Sequence, residues 1–322
     1  MQSYTHFTLK ERECLLENLK EGKTLREIAK KLNKNASSIS RELKRNRDKN
    51  GMYYPNWATV LYIQRRKICI RSPLLLAGTQ IYKFICDSFD KFWSPEIIAA
   101  KWKQLGNKGL SHTTIYNAIK NGLFSGYSPK THFRRRGRPK KPRNSRNNAT
   151  IKPVNTIQQR PQIVEKRGRL GDLEGDTVYG GIGKGVLLTF VDRKSRMLYA
   201  GKRPNRSGDT IKKAFPDVLK GVKVKSITLD RGPEFVKFAE IEKQLNTTIY
   251  FADPYSPWQR GSNENMNGVL RFFFPKGTNF HSVTDERVKY VVDLINDRPR
   301  KCLGWLSPNE FISHSVALDL TI

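Results

Sequence analysis

Leu229-Asp230-Arg231-Gly232 at one end and Asn263-Glu264-Asn265-Met266-Asn267-Gly268 at the other bound the stretch on which the reading of this 322-residue chain turns. Asp230 closes a short apolar run, Val224 to Leu229, whose pattern predicts a buried strand. Glu264 falls in a segment that reads as a helix from about Gly261 to Phe273. Upstream, Leu173-Glu174-Gly175-Asp176-Thr177-Val178-Tyr179 puts Asp176 at a strand-like position. Fifty-three residues lie between Asp176 and Asp230, and thirty-three between Asp230 and Glu264. Two aspartates on neighbouring strands and a glutamate on a covering helix can hold two divalent metals. Such a pair, roughly 3.5–4 Å apart, clamps the attacking and leaving oxygens of an in-line phosphoryl displacement. Mg²⁺ takes oxygen ligands and keeps waters, so two or three carboxylates suffice.

Working outward, residues from Leu170 onward predict an α/β body. Strands are expected over Glu174–Tyr179, Gly185–Val191 and Met197–Ala200. A helix over Thr210–Leu219, the Val224–Leu229 strand, a helix over Gly232–Leu245 and a strand over Thr248–Phe251 follow. The Glu264 helix comes next and a last helix spans Thr284–Leu294. Three hairpin-linked strands followed by alternating helices and strands match the ribonuclease-H-like order, in which strands one and four lie side by side and Asp176 meets Asp230. Other acids have plainer readings. Asp192 begins a hairpin turn, Glu234 sits in the first turn of a helix, and Asp253 precedes Pro254. Glu174 shares a face with Asp176 and is a candidate supporting acid.

The bulk charge points to a polyanion partner. The formal net charge is +31. Residues 1–150 carry 32 Lys and Arg against 10 Asp and Glu, and residues 101–150 hold 13 basic residues and no acidic one. Nucleic acid is the simplest partner for charge this clustered. Residues 8–46 predict three short helices, with Thr24-Leu25-Arg26-Glu27 as a capping box and Leu9, Cys14, Leu15 and Leu19 on the buried face of the first. Helix, short turn and a helix with a basic outer face form a helix-turn-helix. On its second helix Ser37, Ser38, Ser40 and Arg41 are candidates for base edges, and Lys44 and Arg45 for phosphates. A second helix-turn-helix is read over Ser94–Ile119, with His112, Thr113, Thr114 and Asn117 outward. Residues 125–160 read as a basic linker; Arg135, Arg136 and Arg138 lie either in an A·T-rich minor groove or free in solvent. The expected domains are 1–50, 51–124, a linker 125–165 and a catalytic core 166–322. Four scattered cysteines suggest neither a disulfide framework nor a zinc site. The expected compartment is a reducing cytoplasm, and no signal peptide or membrane-spanning run is read.

Several blocks together resemble one family. Glu174-Gly175-Asp176-Thr177-Val178, Val191-Asp192-Arg193-Lys194-Ser195-Arg196, Leu229 to Phe235 and above all Phe251 to Gly268 are similar to the transposases of the insertion-sequence-thirty family. Phe274-Pro275-Lys276-Gly277-Thr278 and Asn296 to Trp305 fit as well. The resemblance covers nearly the whole chain. It implies a multidomain protein, with all-α helix-turn-helix domains followed by an α/β ribonuclease-H-like, retroviral-integrase-like core. It also implies a DDE transposase with Asp176, Asp230 and Glu264 as catalytic and metal-binding residues and Mg²⁺ as cofactor, with Mn²⁺ as a substitute. Double-stranded DNA, both element terminal inverted repeats and target, is the implied partner, and a bacterial, nucleoid-associated cytoplasmic location is implied with it. A homo-oligomer is expected because two ends must be paired. One departure stands out: the family shows Gly-His-Trp where this chain has Gly171-Asp172-Leu173, which puts an unexpected acid beside the site, pointing outward or weakening it. The competing reading is a non-catalytic DNA-binding regulator using residues 1–150.

Overall fold

The computed structural model of the chain describes residues 5–69, 74–107, 109–134, 155–254 and 256–319. It divides into two compact units, Met1–Leu74 and Leu75–Ile322.

In the first unit α1 (Leu9–Lys20), α2 (Leu25–Lys31), α3 (Ala36–Asn46) and α4 (Pro55–Cys69) surround Leu15, Ile28, Ile39, Leu43, Tyr53 and Ala58. Thr8 and Thr24 each close a capping box, with Glu11 and Glu27, so two otherwise orphaned N–H groups per helix are satisfied. The apolar face of α1 differs from expectation at one position. Leu9 is exposed and Arg12 is buried, its Nε donating to Glu42 at 2.7 Å and its Nη1 to the Thr59 hydroxyl at 3.0 Å. An arginine can take a core position when carboxylate and hydroxyl partners come with it. Periodicity reads residue type, and so assigned that position to the leucine.

The second unit begins with α5 (Gln80–Asp90), α6 (Pro95–Gln104), α7 (His112–Lys120) and the short α8 (Pro129–His132). Ser111 caps α7 through the Thr114 N–H. Ile85, Phe89, Ile98, Ile115, Ile119 and Phe124 form the core of this part.

The short α9 (Gln162–Glu165) leads into a five-stranded sheet: β1 (Asp172–Tyr179), β2 (Val186–Asp192), β3 (Leu198–Arg203), β4 (Ser226–Leu229) and β5 (Thr248–Phe251), in the order β3-β2-β1-β4-β5. β1 is antiparallel to β2 and parallel to β4, with Leu173 opposite Ile227 and Glu174 opposite Thr228. The expected neighbourhood of strands one and four is therefore present. Both faces of the sheet are covered, which explains why every residue of β2 is buried. On one face α10 (Gly208–Val218) and α11 (Phe238–Leu245) pack on Leu173, Val186, Leu188, Phe190, Ile227 and Leu229. On the other, α12 (Gly261–Phe273) and α13 (Asp285–Asn296) pack on Val178, Leu187, Val191 and Leu198. A final helix, α14 (Pro308–Asp319), follows.

The helix expected over Gly232–Leu245 is broken. Pro233–Phe235 is a 3-10 turn and α11 starts only at Phe238. Glu234 turns inward there and accepts the Thr177 hydroxyl at 2.8 Å. Asp172 does not point outward. It is fully buried, paired with Arg169 at 2.9 and 3.1 Å and accepting the Ser226 hydroxyl at 2.7 Å.

Glu174 fixes α12 to the sheet. Its Oε1 accepts Arg193 Nη1 at 2.6 Å and its Oε2 accepts the Asn263 N–H at 2.9 Å, all of them buried. Removing one partner of a buried ion pair costs about 3–5 kcal/mol. Glu174→Gln should therefore lower the unfolding free energy in urea by about 3 kcal/mol; a loss below about 1 kcal/mol would show that the pair does not hold the fold.

Candidate active site

Alternation along β1 sends Glu174, Asp176 and Val178 toward α12. Gly175 faces the other way, where an added Cβ would lie 2.6 Å from Leu229 and 3.0 Å from Phe190. Asp230 follows the last residue of β4, so the parallel pairing carries it to the same end of the sheet as Asp176. The two carboxylates share one cation. Arg260 Nη2 donates to Asp230 Oδ2 at 3.0 Å, its Nη1 donates to the Gly175 carbonyl at 2.9 Å, and Nη1 lies 3.8 Å from Asp176 Oδ1. Asp176 is further held by its neighbour Thr177, whose N–H donates to Oδ1 at 2.8 Å, and by Asn267 Nδ2, which donates to Oδ2 at 2.7 Å. The Gly232 N–H donates to Asp230 Oδ1 at 3.2 Å.

Glu264 lies in the first turn of α12 with its side chain exposed, one helical turn before Asn267. Among the described residues no three His, Cys, Asp or Glu side chains stand close enough to hold a metal ion together. The structure thus brings Asp176 and Asp230 to one guanidinium and sets the Glu264 helix across them, without gathering the three carboxylates into one cluster. The donors at hand are all oxygens. One of them, Asn267 Oδ1, is buried without a hydrogen-bond partner among the described residues. A carboxylate pair with a spare amide oxygen beside it fits a hard divalent cation.

Burial pushes the Asp176 carboxyl up to about 6; Arg260 draws it down, while Asp230 and Glu234 push it further up. Burial pulls the Arg260 guanidinium down, but the charges of Asp176 and Asp230 outweigh it and leave the group raised. Sequence reasoning missed Arg260 as a partner of the aspartates and Asn267 as the donor to Asp176. The available signal was helical spacing, since both flank Glu264 at distances of three and four residues.

Of the proposed DNA-reading side chains, Ser37, Ser40, Arg41, Lys44 and Arg45 are exposed on α3, and Ser38 is half-buried. His112, Thr113 and Asn117 are exposed on α7. Thr114 is half-buried, its N–H and hydroxyl both engaged with Ser111. Arg135, Arg136 and Arg138 lie outside the described residues. Trp258, in the 3-10 turn before α12, is 74% exposed.

Residues 3–46 match the helix-turn-helix domain family and residues 168–257 the integrase core domain family. A DNA-binding helical domain followed by an integrase core defines a polynucleotidyl transferase of the DDE class. The transposase for insertion sequence element IS4351 of Bacteroides fragilis is 35% identical over 95% of this chain and 94% of its own length. Transposase InsI for insertion sequence element IS30A of Escherichia coli is 32% identical over 98% of this chain and 86% of its own. Among solved structures, the catalytic core domain of BIV integrase aligns with 47% of this chain and 98% of its own, at a TM-score of 0.38 and 18% identity. The chain belongs to the IS30 family of insertion-sequence transposases. No helix among its described residues is long and apolar enough to cross a membrane.

The raised Asp176 carboxyl sets a sign for stability. Its folded value, about 6, lies above the ordinary 3.8. The folded protein therefore holds a proton that the unfolded chain gives up. That contribution is complete below the unfolded value and is lost as pH rises through the folded one. Asp176→Asn should raise the Tm of the metal-free protein at pH 7.5, and the gain should vanish near pH 4. A variant melting lower than the wild type at pH 7.5 would contradict this.

Proposed function

We propose that the protein acts as a homo-oligomer on double-stranded DNA in the bacterial cytoplasm. It binds the terminal inverted repeats of its element and catalyses Mg²⁺-dependent strand cleavage and strand transfer with Asp176, Asp230 and Glu264. The observation that carries this reading is the convergence of Asp176 and Asp230 on one guanidinium at one end of the two inner strands β1 and β4. The all-oxygen donor set supports Mg²⁺, with Mn²⁺ as a substitute. When bound, a divalent pair neutralises charge at the phosphorus and makes a water or hydroxyl more acidic.

The residues have separable tasks. Asp176 and Asp230 would hold the cations, and Glu264, in the first turn of α12, would complete the set. Asn267 and the Thr177 N–H fix the plane of the Asp176 carboxylate, and the Gly232 N–H fixes that of Asp230. In the first step a water oxygen attacks the phosphorus at the element end. The bond from phosphorus to the 3′-oxygen breaks, leaving a 3′-hydroxyl on the element and a 5′-phosphate on the flank. In the second step that 3′-oxygen attacks a target phosphorus, its proton passes to solvent, and the target strand's 3′-oxygen leaves. One phosphodiester replaces another, so no external energy source is required. The exposed face of α3 supports DNA binding by the first unit, with Arg41 and the serines toward base edges and Lys44 and Arg45 toward phosphates.

A strand-transfer assay on end DNA with Mg²⁺ tests the catalytic reading. Asp230→Asn, Asp176→Asn and Glu264→Gln should each cut the rate by at least about a thousandfold while end binding survives. Binding without any joining by the unmodified protein would instead make it a regulator, and cutting without joining a nuclease. The DNA reading has its own test in binding titrations across salt. Lys44→Ala should weaken binding to all sequences alike and reduce the salt slope by about 0.9. Arg41→Ala should cost about 1–3 kcal/mol on the end sequence and far less elsewhere; equal losses on all sequences would place Arg41 on phosphate.

A further inference from the structure

Among the described residues Arg260 is the side chain that reaches both aspartates, and its contacts with them are unequal. Its hydrogen bonds go to Asp230 and to the Gly175 carbonyl, at 3.0 and 2.9 Å. Asp176 lies 3.8 Å away, beyond hydrogen-bond length, and both its oxygens already accept from Thr177 and Asn267. Arg260 therefore adds charge to Asp176 rather than a missing hydrogen bond. It is also too little charge. Among the described residues one guanidinium is in contact with the two carboxylates, Arg271 acts on Asp176 only from beyond ion-pair distance, and the buried Glu234 carboxylate adds to the excess beside them.

We propose that in the DNA-free protein Arg260 occupies the place between Asp176 and Asp230 that a divalent cation takes, so that loading the cation requires the guanidinium to leave. This rests on the reading of the aspartate pair as the metal site. Two cations within about 4 Å of each other repel strongly, so guanidinium and metal exclude one another at the pair. Where Arg260 is mounted favours its departure. It ends the 3-10 turn Pro257–Arg260, next to the first turn of α12, and its near neighbour Trp258 is in solvent. The backbone can stay in place while the long side chain swings. Once released, the planar fork suits a phosphate bidentately, and the scissile strand supplies one at that spot. Arg260 is thus a placeholder that trades the aspartates for DNA as the metal arrives.

The experiment is a calorimetric Mn²⁺ titration of the DNA-free, full-length protein at low salt, comparing wild type, Arg260→Gln and Asp230→Asn, with folding checked by circular dichroism. R260Q should bind Mn²⁺ about tenfold more tightly than the wild type, or better, and D230N should abolish the binding. If D230N abolishes binding while R260Q binds as the wild type does or more weakly, the placeholder is overturned and the metal site stands. If D230N leaves Mn²⁺ binding unchanged, the aspartate pair is not the metal site, and both readings fall. R260A replaces R260Q in the comparison should the latter not fold, with the same expected and overturning results.

Discussion

Glu174 is a carboxylate with no access to water, and four segments of chain meet on it. Its side chain accepts from Arg193 in the turn after β2 and from the first turn of α12, and its own carbonyl accepts Asn263 Nδ2 at 2.8 Å. Arg193 in turn donates to the Val164 carbonyl in α9 at 3.1 Å. A buried charge of this kind costs so much when unpaired that the segments must assemble together or not at all. The knot also sets a register. Two residues of strand span about 6.6 Å and four residues of helix about 6 Å. Anchoring Asn263 at Glu174 therefore delivers Asn267 to Asp176, and places Glu264 on the same turn of helix. The site is a consequence of that match.

The acids on the inner strands are not equivalent, and the difference singles out the chemistry. Asp172 has Arg169, Glu174 has Arg193 and Asp230 has Arg260, each within hydrogen-bond distance. Asp176 alone of the four has its arginine as far away as 3.8 Å; burial raises its carboxyl to about 6. Three of these acids are settled structurally in the protein by itself. The fourth is held in geometry by Asn267 and Thr177 but not balanced in charge. A carboxylate perturbed by burial beside specific charged partners is a candidate functional position. The surprising acid at Asp172 belongs to the settled group and need not weaken the site.

Much of this was legible in the residue order. Apolar patterning located the strands, the capping box at Thr24 located a helix, and hairpin spacing followed by alternating elements gave the neighbourhood of β1 and β4. What stayed hidden depended on side chains choosing partners far away in sequence. Arg12 displaces Leu9 from the core because Glu42 waits thirty positions on. Glu234 breaks a helix because Thr177 draws it inward. Arg260 reaches back to Asp230 rather than out to solvent. Pattern reading assigns a residue by its type and its neighbours. It assigns charged residues to the surface by default, and in each of these cases a specific partner overrides the default.

The distribution of charge joins the two halves of the molecule. A chain of net charge +31, with its excess concentrated before residue 150, draws phosphates toward itself at long range. On the proposed assignment of Asp176 and Asp230 as the site, the phosphate to be cut must come up against two aspartates. Like charges at such distances repel by about 1 kcal/mol in water and by several kcal/mol near a protein surface. Basic residues elsewhere cannot remove that repulsion, because salt screens their reach to about 8–10 Å. Only positive charge lodged between the carboxylates and the phosphate can do so, and a single guanidinium leaves a deficit. On that assignment a divalent cation answers the deficit, because two carboxylates would face a phosphodiester within a chain whose net charge is +31.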